Sequence, residues 1–168
     1  MVELVEQNFD KNKKIYHEKE IELKSIFGED ADIHHVGSTA IPDMFGKNII
    51  DILFGVDDGF DKIAQKLQEM GYFASQKKGE IYQFFASRKE ETKSGDIHIH
   101  LVKRGTERYS DFLALKNYLL DNPKIAKEYS EHKKQLLKQG VFVREKYRET
   151  KSKFVSELIQ KAREIYKK

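Results

Sequence analysis

The amino-acid sequence predicts a single α/β (α+β) domain over residues 1–168, with a small mixed β-sheet flanked by helices and a C-terminal helical segment. A chain of 168 residues is long enough for one hydrophobic core and short for two. Strand-like and helix-like patterns alternate as far as Val102, whereas every regular pattern after Thr106 is helical. No repeat or low-complexity linker marks a domain boundary.

The first part of the chain is expected to form a helix, two strands and a second helix. Apolar residues spaced among charges predict a helix over residues 9–27 that ends near Gly28. A short strand is expected at residues 33–36. The isoleucine-rich run 48–56 (NIIDILFGV), interrupted only by Asp51, predicts a buried central strand. Apolar spacing of i, i+3, i+4 and i+7 from Phe60 then predicts a helix that stops at Gly71.

The second part is expected to add three strands and three helices. Residues 72–76 and 80–87, separated by Lys-Lys-Gly, are typical of a hairpin. The segment 96–102 (DIHIHLV) alternates strictly, so His98 and His100 face away from the core-facing isoleucines. Helices are expected over residues 111–120, from Pro123 to about residue 139, and from Arg144 to the C-terminus.

Composition limits the class of protein. Hydrophobic residues make up 39% and charged residues 35%, which disfavours both a membrane protein and a disordered chain. No apolar run approaches the roughly 20 residues of a spanning helix, and the N-terminus lacks the apolar region of a signal peptide, so we expect a cytoplasmic protein without a membrane partner. There is no cysteine, so any metal must be held by His, Asp, Glu or water.

Charge is unevenly distributed along the chain. Residues 133–168 contain twelve Lys or Arg and four Glu, a balance of +8, whereas the whole chain carries +3. Such a basic segment attracts phosphates, although a solvated helix surface is the more common explanation. The segment lacks the signature of a recognition helix or an RNA-binding platform, so nucleic acid is not the expected partner.

Gly37 and Ser38 follow the strand at residues 33–36 and precede a predicted helix start. Glycine lets the backbone approach a ligand, and Ser38 can either cap the helix or bind a phosphate oxygen at its positive end. For an isolated Gly-Ser pair, plain capping is the more common role.

Asp51 is the stronger signal because an unpaired carboxylate among isoleucines is costly to bury. It requires a cation, a metal or several donors. The alternative is a place at the end of the strand, where backbone N–H groups or Lys47 would pair with it.

His98 and His100, two residues apart on one strand, point the same way and are close enough to bind one metal or one anion. With Asp51 on a neighbouring strand, they form a candidate divalent metal site, and His35 is a potential further ligand. Imidazole with carboxylate suits Zn, Mn, Fe or Ni better than Mg, which prefers oxygen ligands. The alternative is a solvated edge strand.

The last predicted helix carries an unusual stripe. Tyr147, Lys151, Phe154 and Leu158 are spaced i, i+4, i+7 and i+11, so Lys151 and the hydroxyl of Tyr147 lie on the face that packs inward. An ammonium group in that place either reaches out to solvent or meets an anion, such as a phosphate.

Together these segments resemble the GrpB family of the nucleotidyltransferase fold superfamily, over nearly the whole chain. The stretch HHVGSTAIPDMFGKNIIDILFGV is similar to the family's long Gly-Ser and Ile-Ile-Asp segment, HIHLV to its His-x-His strand, and Tyr147, Lys151 and Phe154 to its late helix. The resemblance implies a nucleotidyltransferase-like fold with the Gly-Ser turn at the head of the site and Asp51 on the next strand.

The chain departs from the wider superfamily at the acidic residues. Active members usually carry two carboxylates one residue apart on that strand and a third on a neighbouring strand, which hold two metal ions. Here Leu53 stands at the second position, and the neighbouring strand offers His98 and His100. Only Asp51 matches the usual acidic set.

The sequence therefore predicts a nucleotidyltransferase-like protein that binds a nucleotide or another phosphorylated small molecule with a divalent metal (Mg, Mn or Zn). Gly37, Ser38, Lys47, Tyr147 and Lys151 are the expected phosphate-binding residues. The expected metal ligands are Asp51, His98 and His100, and if the protein is an enzyme that transfers a nucleotidyl group, Asp51 and Ser38 are its candidate catalytic residues. The alternatives are an inactive nucleotide- or metal-binding regulatory module and a metal-dependent hydrolase.

Overall fold

The computed structural model describes residues 4–87, 97–138 and 144–166, with the side chains of residues 137, 144–148 and 150 left outside the description. In chain order the elements are β1 (Val5–Glu6), α1 (Phe9–Phe27), β2 (Asp32–Val36), a one-turn 3-10 helix (Ser38–Ala40), β3 (Phe45–Gly46), β4 (Ile50–Val56), α2 (Phe60–Glu69), β5 (Phe73–Ala74), β6 (Tyr82–Ala86), β7 (Ile97–Lys103), α3 (Glu107–Asp121), α4 (Pro123–Lys138) and α5 (Arg144–Tyr166). The predicted α+β class, with a mixed sheet, flanking helices and a helical C-terminal segment, is confirmed.

The main sheet has five strands in the order β2-β4-β7-β6-β5. Strands β4 and β7 run parallel, whereas the other neighbouring pairs are antiparallel. Since α2 and the β5-β6 hairpin separate β4 from β7 along the chain, β7 inserts between β4 and the hairpin. The two most apolar strands are thereby placed at the centre of the sheet.

One face of the sheet packs against α1 and α2. Strand β4 contributes Ile50, Ile52 and Phe54 to this core, which meet Leu23 of α1 and Leu67 of α2. Leu23, Ile52 and Leu67 have no exposed surface, and fully burying such a side chain stabilises the fold by about 1.5–3 kcal/mol.

The opposite face of the sheet carries the candidate site and is partly covered by α3. Leu53 and Val102 form a small apolar cluster there with Phe112 of α3. Helices α3, α4 and α5 share a further core that includes Met44 and Leu158. The loop before β4 is therefore held between the sheet and the C-terminal helices.

Most expected elements are present, and three details differ. The hairpin connection is longer than the expected tight turn, because β5 ends at Ala74 and β6 begins at Tyr82. Helix α3 begins at Glu107, four residues before the expected start, since the side chain of Thr106 accepts a hydrogen bond from the backbone N–H of Tyr109. The short strands β1 and β3 were not predicted, because two-residue strands leave no alternating pattern.

None of the helices in the described ranges has both the length and the apolar character needed to cross a membrane. The expectations of a single domain and a cytoplasmic location stay predictions.

Candidate functional site

Strand register brings Asp51 beside both predicted histidines. Asp51 is the Cα partner of His98 in the parallel β4-β7 pair, and His100 is the partner of Leu53 two residues further along. The carboxylate oxygen Oδ1 of Asp51 lies 3.0 Å from Nε2 of His100 and 3.7 Å from Nδ1 of His98. The structure thus places these three predicted residues together on one face of the sheet.

A hydrogen-bonded chain orients His100. An ionised carboxylate can only accept, so Nε2 of His100 carries the hydrogen that it donates to Asp51. In the neutral ring Nδ1 is then an acceptor, and the hydroxyl of Tyr82, 3.0 Å away, donates to it. Phe84 and Phe112 pack against the same ring, at centroid distances of 5.5 and 4.8 Å. Both ring nitrogens of His100 are therefore engaged.

The environment keeps Asp51 ionised. Burial alone would raise the pKa of Asp51, but the hydrogen bond from His100 and the electrostatic effects of His100, His98 and Lys151 outweigh burial and bring the pKa below its usual value. The side chain is 25% exposed, so solvent and a ligand can reach the carboxylate. Asp51 is an accessible anion flanked by donors rather than an isolated buried charge.

Gly37 brings the backbone into contact with Asp51. Its φ of 77° lies in the region that favours glycine, and a Cβ added there would lie 2.5 Å from Oδ2 of Asp51. A side chain at this position would displace the carboxylate. The Gly-Ser turn and Asp51 therefore form one compact unit, as expected.

Ser38 does not cap the short helix that it begins. The N-cap residue is Gly37, and the Ser38 hydroxyl donates to Oε1 of Gln7 at 3.3 Å. Plain capping, the more common role for such a serine, is therefore wrong here. Ser38 stays half-buried beside the Asp51 strand.

Gln7, which was not predicted as a site residue, links the Gly-Ser turn to the loop before β4 through its side chain. Its Oε1 also accepts from the backbone N–H of Asn48 at 3.0 Å, and its backbone N–H donates to Met44. The segment that carries Lys47 is thus fixed between β3 and β4. A glutamine before a helix gives no sequence signal of this role.

Three lysines, from the loop before β4, from α4 and from α5, affect the electrostatics of the site. Lys151 of α5 lowers the pKa of Asp51, and Lys47 and Lys151 both lower the pKa of Lys133 of α4, after the larger effect of burial. Lys151 therefore acts on Asp51, and both Lys47 and Lys151 act on Lys133. Lys47 and Lys151 were predicted, whereas Lys133 was missed although it falls on the buried stripe of α4. The side chain of Tyr147 lies outside the described residues.

His35 does not join the metal-ligand set. It pairs with Ile52 across β2 and β4, so it faces away from Asp51. Since the Thr39 hydroxyl donates to the Ile49 carbonyl, Nε2 of His35 donates to Thr39 at 2.9 Å. Burial, aided by the charge of Lys116, lowers its pKa to about 4. His35 is a neutral core residue.

The donor set suits a divalent metal only in part. Two ligands about 2.1 Å from one ion and at right angles lie about 3 Å apart, which matches the Asp51–His100 separation. However, a metal on Nε2 of His100 would have to replace the proton that this atom shares with Asp51. Within the described ranges, no group of three or more His, Asp or Glu side chains is arranged to hold a metal ion.

Leu53 occupies the position on β4, two residues after Asp51, where a second metal-binding carboxylate would be needed. It has no exposed surface and lies in the apolar cluster with Val36 and Val102. A carboxylate there would be desolvated among hydrocarbon groups, which is costly without a partner. Asp51 is therefore the one acidic side chain of β4.

Comparisons with known proteins agree on one family. The family model described as GrpB protein matches residues 1–161. YqkA of Bacillus subtilis is 34% identical over 144 residues, 82% of this chain but 40% of YqkA. The glutamate-rich protein GrpB of Alkalihalophilus pseudofirmus is 30% identical over 155 residues, 88% of each chain.

Solved structures agree at the level of the fold. The crystal structure of the conserved protein GrpB from Enterococcus faecalis superposes with a TM-score of 0.84 at 26% identity, over 99% of this chain and 100% of the other. A much weaker likeness, with a TM-score of 0.45 and 15% identity over 73% of this chain and 40% of the other, is found with Cid1, described as having RNA terminal uridylyl transferase activity. A similarity this low supports no conclusion about activity.

Proposed function

This chain belongs to the GrpB family, and we propose that it binds a nucleotide or another phosphorylated small molecule, with a divalent metal ion, at Asp51 and the lysines around it. The observation that carries the proposal is the solvent-accessible carboxylate of Asp51, on which the charge of Lys151 acts, together with the action of Lys47 and Lys151 on Lys133. The ammonium groups of Lys47 and Lys151 would attract the oxygens of a polyphosphate.

The proposed phosphate contacts are the backbone at Gly37, the Ser38 hydroxyl, and Lys47 and Lys151. Gly37 is exposed and has no Cβ to keep a ligand away, and Ser38 needs only to leave its 3.3 Å bond to Gln7. The Tyr147 side chain remains a predicted contact. All of these groups are positive or hydrogen-bond donors, as phosphate oxygens require.

We propose that the metal binds together with the ligand rather than alone. Asp51 is its main protein ligand, His98 and His100 lie next to it, and phosphate oxygens complete the coordination. This order follows from the donors in the described part of the chain, which are not arranged to hold a metal by themselves. When bound, a divalent ion would neutralise phosphate charge and polarise a phosphoryl oxygen.

Binding is favoured over catalysis because Leu53 is sealed in an apolar cluster. A standard two-metal transfer needs a second carboxylate there. If the protein does catalyse, nucleotidyl transfer is the reaction that its family resemblance suggests. An acceptor oxygen or nitrogen would bond to the α-phosphorus of a nucleoside triphosphate, and pyrophosphate would leave.

A thermal-shift series tests the binding proposal. The melting temperature is measured with ATP, GTP, CTP and UTP, each alone and with Mg, Mn or Zn, and with each metal alone. The account predicts stabilisation by at least one nucleotide with metal, little effect of metal alone, and loss of the effect in Asp51→Asn. The matched control is Asp58→Asn, because Asp58 is an exposed aspartate just beyond the same strand.

Lysine variants separate specific contacts from general charge. Lys151→Met should weaken nucleotide binding, whereas Lys153→Met, at an exposed position on the same helix, should leave it nearly unchanged. Stabilisation by metal alone would favour the hydrolase, and pyrophosphate release together with a nucleotidylated acceptor would support transfer. If no nucleotide stabilises the protein and Asp51→Asn behaves as the wild type does, the proposed site is wrong.

A further inference from the structure

Lys133 is a buried cationic side chain that the proposed function does not use. Its relative exposure is 2%, and it lies on the buried stripe of α4 with Tyr129, Ser130 and Leu136. Lysine is almost never fully buried unless it is paired. Its burial therefore calls for an explanation.

The described contacts of Lys133 are with neutral groups. Its ammonium nitrogen Nζ donates to the backbone carbonyl of Phe45 at 3.1 Å and lies 4.3 Å from the centroid of the Tyr129 ring. Within the described ranges, no carboxylate oxygen is found within 4 Å of Nζ. A carbonyl and a ring stabilise an ammonium group less than a carboxylate does.

The charged groups facing Lys133 come from three packed elements. Lys47, which precedes β4, and Lys151 of α5 both disfavour its charge, and Asp51 of β4 favours it. Burial is the largest effect, and the pKa of Lys133 consequently lies well below its ordinary value. The Asp51 carboxylate already accepts a hydrogen bond from His100, and it attracts the ammonium group of Lys133 only at long range.

We infer that Lys133 is a proton-linked residue beneath the anion site, and that it takes up a proton when a polyphosphate binds above it. The inference rests on the proposed function. A polyanion beside Lys47 and Lys151 would reverse the local potential that disfavours the ammonium form, without touching Nζ. Binding would then be coupled to protonation of a group that the ligand does not contact.

The coupling between ligand binding and proton uptake by Lys133 predicts the direction in which affinity changes with pH. Between the pKa of Lys133 in the free protein and its higher pKa in the complex, binding consumes a proton, so affinity falls as the pH rises. The slope is at most about tenfold per pH unit for one proton. Below both values the amine is charged in either state, and its contribution to the pH dependence vanishes.

The test is titration calorimetry with inorganic tripolyphosphate, without metal, in buffers of different ionisation enthalpy near neutral pH. The number of protons taken up per ligand is obtained for the wild type, Lys133→Gln and Lys133→Met. Neither variant can be protonated, and the glutamine keeps an N–H donor for the Phe45 carbonyl. Lys127→Met, an exposed position on the same helix, is the control. Tripolyphosphate can itself gain or lose protons on binding, but this contribution is common to all four proteins and cancels when their proton uptakes are compared.

The inference predicts that the wild type and Lys127→Met take up as much as about one proton more per ligand than either Lys133 variant. Equal proton uptake in all four proteins, with binding retained, would overturn the inference and leave the proposed function standing. Absence of tripolyphosphate binding from the wild type would overturn the inference, which requires an anion beside Lys47 and Lys151, whereas the proposed function is tested separately by the thermal-shift series with nucleotide and metal. Nitrogen-detected NMR of the Lys133 amine in the wild type, with and without the probe, gives the same answer without a variant.

Discussion

The carboxylate of Asp51 and the imidazole of His100 are joined by a 3.0 Å hydrogen bond across parallel strands. Their strands are distant in sequence, but the β4-β7 register brings the two side chains to one face. The bond helps to keep Asp51 ionised, and it occupies the nitrogen of His100 that faces the site.

Replacing His100 should raise the pKa of Asp51. A group whose pKa is lowered by folding stabilises the protein above its unfolded pKa, and the stabilisation is lost as the pH falls through the folded value. In His100→Phe this loss should begin at a higher pH. NMR titration of the Asp51 carboxyl carbon measures the shift, and His17→Phe, an exposed site on α1, is the control. An unchanged pKa in His100→Phe would show that the hydrogen bond does not govern Asp51.

Gly37→Ala should destabilise the protein by about 3 kcal/mol or more, because strained backbone and a clash with Asp51 act together. Gly59 is a control for positive φ without a clash, since its φ is 76° and nothing lies within 4 Å of an added Cβ, although its ψ of 25° differs from the −175° of Gly37. Gly59→Ala should cost about 1 kcal/mol. Urea unfolding compares the two variants. Equal losses would mean that contact with Asp51 contributes nothing.

Leu53→Asp should not restore a standard acidic pair. The new carboxylate would be buried among Val36 and Val102, and the expected loss is about 4 kcal/mol or more of unfolding free energy. Leu53→Met keeps the apolar volume and should cost less than about 1.5 kcal/mol. Denaturant unfolding distinguishes these outcomes. A stable Leu53→Asp protein that releases pyrophosphate would contradict the argument that this position is closed to an acid.

His35 should make the fold sensitive to mild acid. Its pKa is lowered from 6.5 to about 4, so the unfolded chain binds the proton first. The stabilisation is complete above pH 6.5 and is lost as the pH falls towards about 4. Urea unfolding over this range should show a weaker pH dependence in His35→Gln than in the wild type or in His17→Gln. The same slope in all three proteins would exclude His35 as the cause.

Local sequence patterns were enough to predict the strands of the five-stranded sheet and the central pairing of the site. The lone Asp51 in an apolar run and the alternation around His98 and His100 each follow from period-two geometry, so both could be placed on one face. Helix α3 was expected to start too late because the Thr106 cap lies outside its apolar pattern.

The missed residues depend on tertiary contacts. Gln7 acts through Ser38 and Asn48, which are more than thirty residues away, and Lys133 is buried only because β3 and α5 meet α4. Tyr82 reaches His100 through strand pairing. No pattern within a short window encodes such contacts, and His35 shows the reverse case of a promising side chain that register turns away from the site.

The most direct test of the central claim is a crystal structure with a nucleotide and Mn²⁺, using anomalous scattering to locate the metal. The nucleotide is one that stabilises the protein with metal in solution. The account predicts a manganese peak about 2.2 Å from an Asp51 carboxylate oxygen, with phosphate oxygens on the metal and beside Lys47 and Lys151. Nucleotide phosphates and manganese bound elsewhere, with Asp51 still bonded only to His100, would contradict it.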